Sequence, residues 1–97
     1  MRKNTETAIQ KVLAGKRWEC SHHGNGSAIW TDGKSLFSYR EPIAVQDPDL
    51  PGGWIVTNKK FSQTTTVQTN GVVFGLSHVH KCPVRFADHQ VLKAIAY

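Results

Sequence analysis

Two short stretches hold most of the residues able to do chemistry: Cys20-Ser21-His22-His23 and His78-Val79-His80-Lys81-Cys82. On extended backbone, residues two apart point the same way. Cys20 and His22 would then line one strand face, and His78, His80 and Cys82 another. If those strands pair, thiolate and imidazole converge in the number zinc requires, four ligands at about 2.0–2.3 Å. The ligand set this predicts is Cys20, His22, His80 and Cys82, holding a structural rather than a catalytic metal. The spacing is not that of a zinc finger, since neither Cys-x-x-Cys nor His-x-x-x-His occurs. The competing reading makes both cysteines small core hydrophobes, with no cofactor at all.

Other catalytic constellations are weaker. His22-His23-Gly24-Asn25 has residue types found in hydrolytic nuclease centres, but the flanking strand and helix signature is missing. Cys82 and His80 supply a nucleophile and a base without the third group that would orient the base. Asp47 and Asp49 sit among prolines and glycines, where aspartates form turns. Glycines 24, 26, 52 and 53 precede strands rather than helices, so none builds a phosphate loop. The expectation is a protein without catalytic residues.

Charge is placed unevenly. The chain has 97 residues and a formal net charge of +5. Residues 1–18 carry Arg2, Lys3, Lys11, Lys16 and Arg17 against the single acid Glu6. Such a local cationic surface attracts phosphate or an acidic protein through the same Coulomb energy. Lys11, Lys16 and Arg17 are the expected partner contacts, with Trp54 and the 47–53 loop as further candidates. Exposed aromatics such as Trp30, Phe37 or Tyr39 would suit base stacking; the alternative places these rings in the core.

The elements that must position these residues follow from periodicity and turn chemistry. Ala8, Ile9, Val12 and Leu13 share one face of a helix over 4–14, with Asn4 or Thr5 to cap it. Gly15 suits the helix C′ position, and Lys16 and Arg17 follow beside the last carbonyls. Short strands and turns come next. Ser27–Thr31, Asp32-Gly33 and Lys34–Tyr39 have the form of a hairpin with a type I′ turn. Asp47–Gly53 is a loop, and Trp54–Thr57 a strand. Residues 61–76 are ambiguous: Thr64–Val67 has strand propensity, yet Ser62 or Thr64 would also cap a helix carrying Val67 and Phe74. Val84 onward begins extended and turns into a short helix with Asp88 near its start.

The ordered set Ser38-Tyr39, Ile43-Ala44, Trp54–Asn58 and Phe61-Ser62-Gln63-Thr64-Thr65 resembles a family of small proteins from phages and mobile elements. The likeness spans about residues 27–70. It implies a helix opening at Ser62–Thr65 in place of a strand over 64–69. Val67 and Gln68 stand where that family carries a basic residue and a histidine. The resemblance suggests an origin and brings no reaction with it.

Together these features predict one α+β domain over 1–97: an N-terminal helix on a small antiparallel sheet of four or five strands, then a short C-terminal helix or irregular segment. The expected function is non-catalytic binding that blocks a host protein or ribonucleoprotein complex, as anti-CRISPR and other anti-defence inhibitors do. The alternative is a small basic DNA- or RNA-binding accessory protein, with or without a zinc staple. No apolar run reaches the roughly 18–20 residues of a membrane span. With no secretory signal, the expected location is the cytoplasm.

Overall fold

The computed structural model describes residues 3–19, 29–61 and 63–97. In chain order the elements are α1 (Lys3–Leu13), β1 (Trp18–Glu19), β2 (Ile29–Thr31), β3 (Ser35–Ser38), β4 (Glu41–Gln46) and β5 (Trp54–Thr57). There follow α2 (Gln63–Phe74), a π-type turn (Gly75–Val79), β6 (Val84–Ala87) and α3 (His89–Ala96). This is an α+β fold. Among the described residues six strands lie side by side in sequence order, one strand more than the upper end of the expected range. All neighbours are antiparallel except β5 and β6, which run parallel because α2 carries the chain back across the sheet.

Register assigns the faces. Leu36, Ala44 and Val56 stand opposite one another across β3, β4 and β5. They join Ile9, Val12, Ile29, Val72 and Leu76 in the larger core beneath α1 and α2. Val45 and Ile55 point the other way and pack against Leu92 of α3. The central strands are therefore covered on both sides, which suits their apolar runs. A register shift between Leu36 and Phe37 marks a bulge at Ile43, so Ile43 and Ala44 both reach the larger core.

Several local expectations change. Thr5 is buried within α1, so the helix starts before the Asn4/Thr5 cap position. In the β2–β3 turn only Gly33 has a positive φ, at 99°, whereas a type I′ turn needs two such residues. Asp32 Oδ1 accepts from the N–H groups of Lys34 and Ser35 instead. Residues 64–69 are helix, as the family resemblance implied, and the strand reading is wrong there. The buried side of α2 runs Thr65, Gln68, Val72 and continues into Leu76 of the π-type turn. Its first half is polar, held by Ser38 Oγ, which donates to Gln68 Oε1 at 2.5 Å and lies 3.2 Å from Thr65 Oγ1. At the chain's end, Asp88 caps α3 by accepting from Gln90 N at 3.0 Å, as expected.

Candidate functional site

The C-terminal end of α1 is fixed by its own backbone. Gly15 takes φ +71°, its N–H donates to Val12 O at 3.0 Å, and the Lys16 N–H donates to Lys11 O at 2.9 Å. This paired pattern is a Schellman motif, and it brings the residue after the glycine over the helix residue five positions earlier. Those two positions commonly hold an apolar pair. Here both are lysines. The repulsion between them is opposed by the negative end of the helix dipole. Behind the motif stands the β2–β3 turn: a Cβ on Gly33 would come within 3.0 Å of Gly15 O. Lys16 and Arg17 thus project, exposed, from a rigid corner, and Lys34 follows Gly33 on the adjoining turn.

None of Lys3, Lys11, Lys16 and Arg17 forms an ion pair among the described residues, which include every carboxylate side chain of the chain. Asp32, Glu41, Asp47, Asp49 and Asp88 are engaged elsewhere, and Glu6 and Glu19 form no ion pair among the described residues. Arg85 donates to Asp47 through Nε at 2.8 Å and Nη2 at 3.3 Å. The Arg85 guanidinium, with the Asp49 N–H, holds the Asp47 carboxyl below its usual range. Asp32 organises a turn, Asp88 caps α3, and Glu41 binds His89.

Beside the same helix end lies a groove of about 270 Å³, lined by Val12, Leu13, Pro51, Gly52, Trp54 and Cys82 among others. Leu13 and Leu50 are exposed at this part of the surface. Asp47 also reaches the groove, but Arg85 satisfies its carboxylate. The site therefore combines a partly apolar trough with unpaired cations on, and just beyond, the helix that forms one wall. The expectation for Trp54 needs correction. At 3% exposure its side chain belongs to the main core, because both faces of β5 are covered, and it serves only as floor to the groove.

Of the expected zinc ligands, only His80 and Cys82 lie among the described residues. His78 and Val79 lie in the π-type turn, and His80 to Cys82 pass through an irregular segment in which Lys81 takes φ +58°. Without a strand there, His80 and Cys82 do not alternate on a common face. His78 stacks on Phe74, 5.1 Å between ring centroids. Cys82 packs against the main core as a half-buried free thiol. Cys20 and His22 lie outside the described residues. Among the described residues no group of three or more His, Cys, Asp or Glu side chains is placed to hold a metal.

A second cluster escaped the sequence reading. His89 Nε2 lies 2.7 Å from Glu41 Oε2, and His89 Nδ1 lies 3.0 Å from Thr57 Oγ1. A carboxylate has no proton to give, so Nε2–H donates to Glu41, while Nδ1 and the Thr57 hydroxyl share a hydrogen bond whose donor follows the protonation of the ring. The order of groups is that of a nucleophilic triad, but the burial is reversed. Thr57 is 2% exposed, whereas the Glu41 side chain is 37% exposed. A nucleophile must meet substrate, and this hydroxyl faces the interior, where it also accepts the Lys59 N–H. The cluster fastens α3 to the sheet. His89 chiefly, with Lys93 and Lys59 adding to it, holds the Glu41 carboxyl below its ordinary value against the opposing effect of burial.

Fold and site describe a small α+β protein with a cationic, apolar-grooved corner. The chain belongs to a family of unknown function (DUF8033), whose family model matches residues 2–79. That span holds the corner, and β6 and α3 follow it. No curated protein and no solved structure matches the chain. No described helix is long and apolar enough to cross a membrane.

Proposed function

We propose that this chain is a non-catalytic binding protein that docks an acidic, partly apolar protein surface against the C-terminal corner of α1. The observation that carries the reading is the juxtaposition just described: Lys11, Lys16 and Arg17 unpaired, on the helix end that walls an apolar groove. Charge alone serves phosphate and carboxylate equally. The groove favours a protein partner, because apolar side chains buried at the centre of a contact supply affinity while rim charges steer the encounter. In the form expected from the sequence, the partner is a host protein or ribonucleoprotein complex whose working surface is blocked.

The test is affinity capture from host lysate with the full chain and with a Lys11→Glu/Lys16→Glu/Arg17→Glu variant. The expected result is a partner retained by the native chain, lost with the variant, and weakened at least severalfold by Leu13→Ser. A partner captured equally by native and charge-reversed chains would overturn the reading. Binding of random duplex DNA or RNA by the native chain, unaffected by Leu13→Ser and falling steeply with salt, would instead favour the nucleic-acid alternative.

A further inference from the structure

We propose that the groove between α2 and β6 binds a single nucleotide unit, with its base stacked on Phe86 and its phosphate on Lys60. The groove encloses about 230 Å³. Its position follows from topology: β5 and β6 are parallel, α2 is the crossover, and Asn58–Lys60 leave the carboxyl end of β5. In open sheets with parallel strands, ligand crevices form outside those carboxyl ends. One wall is α2, where Thr66, Thr69 and Asn70 share a helix face by their spacing. The other wall is β6, beside which no further strand pairs among the described residues.

Phe86 is the informative residue. It stands opposite Val56 in register, hence on the α2 side of the sheet, yet it is 57% exposed. Among the described residues no aromatic ring of this chain stacks on it. Around it stand threonines, asparagines and lysines, whose methyl and methylene groups make most of the lining and whose polar ends include no carboxylate. The Asn58 and Asn70 amides make no side-chain hydrogen bond among the described residues. Each offers a donor and an acceptor together, the combination that reads a base edge. Thr69 Oγ1 donates to Thr65 O at 2.9 Å, which leaves its lone pairs free to accept. The Lys59 ammonium is drawn over the Phe61 ring, 4.9 Å from its centroid, whereas Lys60 is exposed and unpaired. An aromatic face, two free amides and one cation match a base with its phosphate. Drug-sized ligands take pockets of about 300–1,000 Å³, so this smaller volume suits one such unit. The groove shares no lining residue with the α1 corner, and the proposal stands apart from the docking reading.

The same chemistry comes from a single-stranded nucleic acid or from a free mononucleotide. Fluorescence anisotropy of a labelled single strand of about ten nucleotides, of the length such sites cover, is measured on the full chain at low salt. Uridine monophosphate is the competitor. Phe86→Ala is expected to weaken binding about tenfold or more, Phe86→Trp to retain it, and Lys60→Gln to weaken it and flatten its salt dependence. Competition by the mononucleotide assigns the free nucleotide as a sufficient source; binding of the strand alone assigns the polymer. The ratio between Phe86→Trp and Phe86→Ala is repeated in a Lys16→Glu/Arg17→Glu background, where failure of the docking corner leaves it unchanged. No binding of strand or mononucleotide overturns the proposal. So does equal affinity for Phe86→Ala and native protein, or a dimer that Phe86→Ala dissociates, which would show that a second copy covers the ring.

Discussion

His89 shows how little room a buried polar residue has. Both ring nitrogens are engaged and the ring is 5% exposed, with the Phe61 edge 5.0 Å away between centroids. Truncation removes the hydrogen-bond partner of the Thr57 hydroxyl in a site that water does not readily reach. His89→Ala is therefore expected to cost about 1–3 kcal/mol in urea unfolding, the cost of leaving a buried partner unsatisfied. Thr57→Val in the His89→Ala background should lose less than in the native chain. Glu41 adds a pH dependence of definite sign. Its carboxyl titrates below the ordinary 4.5 in the folded chain, so the folded state favours the ionised form. The stabilisation is fully present above about pH 4.5 and fades as pH falls through the lower folded value. Asp47, lowered by Arg85, acts in the same direction below 3.8. Melting curves of Glu41→Gln across pH 3–6 should show a shallower acid loss than the native chain. A parallel loss in both would contradict the assignment.

At the scale of elements, the α1 corner makes a ranked prediction. Gly15 and Gly33 both hold positive φ, which side chains resist by about 1–2 kcal/mol. A Cβ on Gly15 meets open space, while one on Gly33 meets the Gly15 carbonyl. Gly33→Ala should thus destabilise more than Gly15→Ala, by thermal or chemical melting; equal effects would mean that the turn does not brace the helix end. Residues at these positions also decide what sequence can disclose. Gly15, Asp32-Gly33 and Asp88 announce themselves because local backbone geometry needs those types. By contrast, α2 conceals its period, since its buried side is Thr65 and Gln68 before it is Val72, and Leu76 falls in the π-type turn beyond it. The alternation expected of His78, His80 and Cys82 failed for a related reason: the chain after Phe74 winds into a wider turn, and no spacing of polar residues reveals that. The Thr57–His89–Glu41 cluster joins residues 32 and 48 positions apart, which only the sheet order brings together. Trp54 misled as a surface candidate because α1 and α2 cover one side of β5 and α3 the other.

Across the whole molecule, the distribution of charge matters more than its net value of +5. Asp32, Glu41, Asp47 and Asp88 serve turns, ion pairs and caps, and none forms an ion pair with Lys11, Lys16 or Arg17. The molecule leaves Lys11, Lys16 and Arg17 uncompensated beside an apolar groove, an arrangement that folding does not require. Lysine footprinting by acetylation, read by mass spectrometry with and without host lysate, measures directly whether that corner is covered. In the free chain Lys16 should label readily. With lysate present, Lys11 and Lys16 should be protected severalfold, while Lys93 on α3 stays reactive. Equal labelling of Lys11 and Lys16 in both conditions, or protection confined to Lys93, would contradict a docking surface at the end of α1.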